Sequence, residues 1–192
     1  MRHDGPAPSQ PAIEPDTKDW TWVLGRRCPE CGLDVAGVPR EELAGRLHAN
    51  AEAWAPVLER GDARERPDAG TWSALEYGCH VRDVFALFGE RLSLMLETDD
   101  PLFENWDQDA TALASRYAEQ DPVAVAADTA AFGRTLAARF AALEEAAWRR
   151  TGRRSDGAEF TVESFARYLL HDPVHHLHDV GGTAGGTGGV LA

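Results

Sequence analysis

The chain has 192 residues, enough to bury one sizeable hydrophobic core, and its apolar content of 43% is ordinary for a globular domain. Its 32 acidic and 19 basic residues give a net charge of −13, which disfavours nucleic acids and anionic membranes as partners. No apolar run reaches the roughly 18 residues that a membrane-spanning helix needs, and the first residues lack the apolar core of a signal peptide. We therefore expect a cytoplasmic protein.

Two segments precede the helical part of the sequence. Residues 1–18 are rich in proline and polar residues, which is typical of a disordered arm. Residues 19–38 form a tryptophan-rich extension that also contains two cysteines. Its first part, residues 19–24, alternates in a way that predicts an extended segment. We expect this segment to lie across the helical body, which would cover its two tryptophans.

Cys28 and Cys31 are separated by two residues, a spacing at which two thiolates can bind one ion through a tight turn. The odd count of three cysteines argues against a disulfide framework. The pair is only half of a tetrahedral site, so a closed zinc site would have to recruit histidines or a partner chain. A second metal site, a redox-active thiol pair and a packed turn are therefore all open interpretations.

Four segments have the periodicity and end signals of α-helices. Pro39 lies in the first turn of the first helix, Ser73 with Glu76 matches a capping box, Asp121 precedes the proline that starts the third helix, and Thr161 is the expected N-cap of the fourth. The predicted helices span residues 39–60, 73–98, 123–148 and 161–180. The sequence therefore predicts an all-α four-helix bundle.

The stretches outside these helices also carry expectations. The connection over residues 99–119 is long enough to cover a site as a lid or to be a solvated crossover. Residues 151–159 predict a turn, and the glycine-rich residues 181–192 predict a flexible tail. Pro173 removes a backbone hydrogen bond from the fourth helix and predicts a kink there. The bundle itself is expected over residues 39–180.

The fourth helix contains four of the seven histidines of the chain. His171 and His175 are four residues apart, so their imidazoles can point at one place from one helix face. A transition metal needs further ligands, and His80 lies next to the apolar stripe of the second helix. We therefore predict that His80, His171 and His175 bind a metal between the helices.

A metal-bound histidine usually donates its second ring nitrogen to a carboxylate or a carbonyl. The acidic residues near the predicted ligands are Asp83, Asp172 and Asp179. Asp83 ranks first because it follows His80 by one helical turn.

Four motifs carry a family resemblance: the Trp72-Ser73 pair, Glu76, the stretch His80-Val81-Arg82-Asp83 and the histidine-rich fourth helix. They resemble the DinB-like superfamily, which includes mycothiol-dependent maleylpyruvate isomerases. The resemblance implies an up-down-down-up bundle that binds a divalent ion, often zinc or nickel, through one residue of the second helix and an H-x-x-x-H pair of the fourth. Carried over, the ligands are His80, His171 and His175. The tandem His175-His176 leaves the alignment of the fourth helix open by one residue.

The resemblance implies a metal-dependent enzyme of the thiol S-transferase or thiol-dependent isomerase type, with a low-molecular-weight thiol as co-substrate. A metal that binds a thiol lowers its pKa and produces a thiolate nucleophile. Metal-assisted hydrolysis is the alternative enzymatic hypothesis, and a metal-binding, stress-related protein without turnover is the non-enzymatic one. A small-molecule substrate is expected as partner, and an apolar bundle face is compatible with a homodimer.

Overall fold

A computed structural model describes Ile13 and residues 18–184 of the chain. Nearly all of the predicted disordered arm, and residues 185–192 of the predicted tail, lie outside the described residues. The α-helices of the described part are α1 (Arg40–Glu52), α2 (Trp54–Leu58), α3 (Ala74–Glu97), α4 (Gln108–Ala114), α5 (Pro122–Ala141) and α6 (Val162–Asp179). Its strands are β1 (Leu102–Phe103), β2 (Thr151–Arg154) and β3 (Glu159–Thr161).

The long helices α1, α3, α5 and α6 pack around one apolar core and form the predicted four-helix bundle, which is confirmed. Leu47, Phe85, Leu136 and Leu169, one from each helix, are buried in it. None of the helices in the described ranges combines the length and the apolar character needed to cross a bilayer.

Contacts near the two ends of each helix pair give the directions of the helices. α1 and α6 run in the same direction, because Arg167 donates to the carbonyl of Val38 just before α1, and Asn50 near the end of α1 donates to the carbonyl of Pro173. The corresponding pairs are Gly78–Thr129 and Gly89–Arg139 for α3 with α5, and His80–Asp172 and Phe88–Phe165 for α3 with α6. α3 therefore runs parallel to α5 and antiparallel to α6. The order is up, down, down, up.

The helix ends follow the sequence signals where a side chain closes the first turn. Ser73 and Glu76 form the expected capping box at the start of α3, and Thr161 caps α6 together with Ser164. α6 continues through Pro173 to Asp179. The predicted first helix is interrupted at Ala53 and continues as the short helix α2.

The predicted third helix was too long at its C-terminal end. α5 ends at Ala141, and the chain then turns so that Trp148, in a 3₁₀ turn over Ala147–Arg149, stacks on Phe140 at 5.9 Å between ring centroids. Alanine-rich composition favours continued helix, but burial of the Trp148 ring against the core requires the chain to fold back.

The stretch 151–159, predicted as a turn, is mostly a β-hairpin. β2 pairs antiparallel with β3 and parallel with β1, and Gly157 lies in the connecting turn at φ +96°. Phe160 is buried, and Gly152 lies so close to Met95 that an added Cβ would be 2.8 Å from its Cγ. β2 pairs with β1, about 50 residues earlier in the chain, and local composition does not reveal such a distant partner.

The segment before the bundle also differs from the expectation. Trp20–Leu24 is a 3₁₀ helix rather than an extended strand, because the carboxylate of Asp19 accepts the backbone N–H of Thr21 at 2.9 Å and closes the turn. The segment does lie against the bundle, since it packs on α6 and buries Val23.

Candidate metal centres

One stretch of α6 presents two pairs of potential metal ligands, offset by one residue. His171 and His175 form the first pair, and Asp172 and His176 form the second. Neighbouring helical residues point about 100° apart, so the pairs face different elements. The first pair meets the N-terminal segment, and the second meets α3.

The inner group consists of His80, Asp172 and His176. One ligand atom from each lies within 4.8 Å of the others. Nε2 of His80 is 3.3 Å from Oδ1 of Asp172, and Nε2 of His176 is 3.9 Å from Oδ2 of the same carboxylate. His80 is fully buried and stacks on Trp106 at 5.3 Å with an interplanar angle of 12°. The ring is thereby held in one orientation.

The donor set of the inner group suits a cation. Burial raises the pKa of the Asp172 carboxyl, but the neighbouring His80 and His176 outweigh this and hold the pKa at about 2. Asp172 is thus ionised at neutral pH. Its Oδ1 atom and Nδ1 of His80 are buried and have no hydrogen-bond partner among the described residues. An unsatisfied buried acceptor costs about 1–3 kcal/mol, which a bound cation would offset.

The outer group consists of Cys28, Cys31, His171 and His175, whose ligand atoms also lie within 4.8 Å of one another. Sγ of Cys28 is 3.7 Å from Nδ1 of His175, and Sγ of Cys31 is 3.7 Å from Nε2 of His171. Cys28 and both histidines are buried, and Cys31 is half-buried. Trp20 packs on both imidazoles, with ring centroids 5.5 and 5.1 Å away.

The imidazoles of the outer group are kept neutral. Burial, with a smaller effect from the neighbouring His175, lowers the pKa of His171 to about 4, and burial lowers the pKa of His175 as well. A neutral imidazole has the lone pair that metal ligation needs.

Asp179 lies beside both groups. Its Oδ2 atom is 3.1 Å from Nδ1 of His176 and 3.7 Å from Nε2 of His175. Glu30 contributes a second carboxylate 3.3 Å from Nε2 of His175. Each of these nitrogens is the one that faces away from the candidate ligand cluster. The carboxylates therefore orient the rings, as outer partners of metal-bound histidines do.

The structure divides the predicted ligands His80, His171 and His175 between two candidate groups. His80 meets Asp172 and His176, whereas His171 and His175 meet the two cysteines. The sequence left open whether His175 or His176 is the ligand of the fourth helix, and the structure places His176 beside His80. The four-residue spacing of Asp172 and His176 was the signal that could have found this pairing.

The three acidic residues that were predicted to support the ligands occupy three different positions. Asp83 faces other partners, because it accepts hydrogen bonds from Tyr117 at 2.5 Å and from Arg82 at 2.8 Å. Asp172 is itself a member of the inner group rather than a residue behind it. Asp179 lies behind His175 and His176, where a carboxylate was expected.

Two neighbouring cavities adjoin the groups. The smaller, of about 90 Å³, is lined by residues of both groups. The larger, of about 500 Å³, extends from Asp172 past Trp106. Trp20, Gln108, Tyr168 and Asp172 line both cavities. The inner group therefore has space for water and, next to it, for a small molecule.

The bundle runs up, down, down, up, and histidine and carboxylate side chains meet between α3 and α6. These two features define a class of helical proteins that have a candidate metal centre inside the bundle. The sequence profile of the DinB superfamily matches residues 46–180. The chain belongs to this superfamily, as its motifs predicted.

The fold is also similar to that of YfiT from Bacillus subtilis, described as a probable metal-dependent hydrolase with an unusual four-helix bundle topology. The two chains share 19% sequence identity with a TM-score of 0.59 over 83% of this chain and 81% of YfiT. At this identity the likeness shows the fold alone. A comparison with curated proteins gave no match.

Proposed function

We propose that this protein is a metal-dependent hydrolase whose divalent ion, zinc or nickel by preference, is bound by His80, Asp172 and His176. The observation that carries the proposal is the convergence of these ligand atoms within 4.8 Å, with Asp172 and His176 lining a cavity. Three protein ligands leave coordination positions open, which is the arrangement of catalytic rather than structural sites.

The ion would supply Lewis acidity, polarising a substrate carbonyl and lowering the pKa of water towards 7. The chain's own residues would position the reactants. Trp106 stacks on His80, and Asp179 lies 3.1 Å from the outer nitrogen of His176, so both rings have a contact that orients them. Asp172 contributes the negative charge that attracts the cation.

The cavities favour water as the nucleophile. The space of about 90 Å³ beside Asp172 and His176 accommodates a few water molecules. The larger cavity starts at the same carboxylate and is the candidate substrate compartment. Gln108 and Tyr168 line both spaces and are our candidates for hydrogen bonding to the polar part of a substrate.

Thiol S-transfer or thiol-dependent isomerisation is the second candidate. The family resemblance supports it, and the cavity of about 500 Å³ has room for a low-molecular-weight thiol. In this case the thiol sulfur would reach the open position at Asp172 and His176 in place of water.

Kinetics of metal-reconstituted protein would test the proposal. We expect hydrolysis of activated esters or amides without added thiol, and at least about a 100-fold lower kcat/KM after His80→Ala or Asp172→Asn, because each change removes a proposed ligand. His48→Ala is the matched control, since His48 is exposed and pairs only with Glu52 in α1 among the described contacts.

Each other outcome rejects the hydrolase proposal. Turnover only with a mycothiol or bacillithiol analogue would favour thiol transfer. Ion binding without turnover of any ester, amide or thiol would favour the non-enzymatic, stress-related function. Unchanged metal content in both variants would remove the inner group as the metal site.

A further inference from the structure

We propose that Cys28, Cys31, His171 and His175 form a second, closed zinc site that fastens the N-terminal segment to α6. This inference goes beyond the proposed function and does not depend on it, because it uses none of the residues of the inner group.

The distances fit a tetrahedral ion. Zinc lies about 2.3 Å from sulfur and about 2.0–2.1 Å from nitrogen, which places neighbouring sulfur and nitrogen ligands about 3.6 Å apart in a tetrahedron. The Cys28–His175 and Cys31–His171 pairs are both separated by 3.7 Å. All four ligand atoms lie within 4.8 Å of one another. A small inward movement of the side chains would complete the site.

The charges and the softness of the ligands also favour zinc. Binding releases one proton from each thiol to solvent, and the two thiolates then neutralise the dication. Neutral imidazoles complete the set without adding charge. Thiolate with imidazole in a four-coordinate arrangement is typical of structural zinc, in contrast to the inner group, which has no sulfur.

The backbone around the cysteines already has the turn that such a site needs. Gly32 donates to the carbonyl of Cys28 at 3.1 Å, and Cys28 donates to the carbonyl of Leu33 at 2.8 Å. Gly32 has φ +75°, which glycine adopts without strain. Arg27 donates to the carbonyl of Gly32 at 2.6 Å. The two sulfurs are therefore held on one side of a closed turn.

Contacts to its outward nitrogen also orient the His175 ring for ligation. Its Nε2 atom lies 3.3 Å from Glu30, within the cysteine motif, and 3.7 Å from Asp179. A proton on Nε2 leaves Nδ1 unprotonated towards Cys28. The Cys-Pro-Glu-Cys turn thus contributes both the thiolates and the carboxylate that fixes a ligand histidine.

The position of the site explains what the ion would do. The 3₁₀ segment ahead of Cys28 carries Trp20, which packs on both ligand histidines and lines both cavities of the inner group. Zinc in the outer group would hold this wall against α6. The site is therefore a positioning device for the cavity rather than a second reaction centre.

Metal content and cobalt spectra of variants would test the proposal. The double change Cys28→Ser with Cys31→Ser should lower the zinc content by one ion per chain and abolish the thiolate-to-metal charge-transfer band of the Co²⁺-substituted protein. Cys79→Ala is the matched control, because Cys79 is buried elsewhere, against Leu58, Leu75 and Tyr117. It should keep both the ion and the band.

X-ray absorption of His80→Ala protein keeps the test decisive if the double variant folds poorly. With the inner group disabled, the remaining zinc should show two sulfur neighbours at about 2.3 Å and two nitrogen neighbours at about 2.0 Å. The absence of sulfur neighbours around the zinc would overturn the proposal. So would protein purified under reducing conditions that holds no zinc and has a Cys28–Cys31 disulfide. Unchanged zinc content in the double cysteine variant would do so too.

Discussion

The tandem His175-His176 shows how one residue decides which metal group a side chain joins. Each of the two histidines follows a potential ligand by four residues, His171 in one case and Asp172 in the other. The spacing alone predicted that α6 carries ligands, and the structure has two pairs of potential ligands on this helix. It did not predict which pair faces α3, because that depends on how α6 is rotated against the rest of the bundle.

Because of the rotation of α6, we expect substitutions of His176 and His178 to have different effects. We expect His176→Ala to remove the ion of the inner group and to lower kcat/KM by at least about 100-fold, because His176 faces Asp172 and His80. His178→Ala should leave both unchanged, since the His178 side chain is 56% exposed. Metal analysis and steady-state kinetics check this prediction, and equal losses in the two variants would contradict it.

The buried His171 predicts how the metal-free protein responds to acid. Its pKa is lowered to about 4 in the folded chain, mainly by burial, and is near 6.5 in an unfolded chain. Between these values the unfolded chain binds a proton that the folded chain does not, so stability present above pH 6.5 is lost as the pH falls towards 4. From pH 7.5 to pH 5 the free energy of unfolding should fall by about 2 kcal/mol from this residue.

Urea unfolding of chelator-treated protein at both pH values measures this loss. His171→Gln should reduce the pH dependence, whereas His178→Gln should not, because His178 is largely exposed. The same pH dependence in His171→Gln and in the wild-type chain would contradict the prediction.

At the scale of the elements, the sequence predicted best where the signal is local. The capping box of Ser73 and Glu76 fixed the start of α3 to the residue. The break after α1 also has a local cause that the prediction overlooked, because Pro56 in the first turn of α2 cannot donate a backbone hydrogen bond to the preceding turn. The position of β2 had no purely local cause, since β2 pairs with β1, which lies about 50 residues earlier in the 99–119 connection.

Asn50 joins three of these helices and provides a prediction for their stability. It donates to the carbonyl of Pro173 at 2.9 Å and accepts from Nε1 of Trp54 at 3.3 Å, while 1% exposed. Asn50→Ala should lower the free energy of unfolding by about 1–3 kcal/mol, because it leaves the buried indole N–H without its partner.

Chemical denaturation measures the effect of this change. Replacing both partners, with Asn50→Leu and Trp54→Phe, should recover part of the loss, since the double change leaves no buried donor unpaired. A single variant as stable as the wild-type chain would show that Asn50 does not connect the helices energetically.

At the scale of the whole molecule, metal removal should separate the N-terminal segment from a bundle that stays folded. An ion whose free concentration is a thousand times its dissociation constant stabilises the folded state by about 4 kcal/mol. Removing the ion from the outer group would remove this stabilisation from the contact between the N-terminal segment and α6. We expect chelated protein to be cleaved by trypsin at the exposed Arg26 or Arg27 faster than zinc-loaded protein.

Mass spectrometry of the fragments identifies the cleavage site. The fragment that contains α1 to α6 should remain intact, because the apolar core lies between the long helices and contains none of the proposed ligand residues. Equal cleavage rates with and without zinc, or digestion of the bundle at the same rate as the segment, would contradict this prediction.

The carboxylate of Asp179, 3.1 Å from Nδ1 of His176 and 3.7 Å from Nε2 of His175, would link the two proposed metal sites thermodynamically. A cation on His176 would make its Nδ1–H a stronger donor and draw Asp179 towards it, away from His175. Loading one proposed site would then weaken the support of the other. Linkage requires the effect to be reciprocal. We therefore expect negative cooperativity between the ions, with the thiolate-rich group filled first and the open one exchanging its metal more readily.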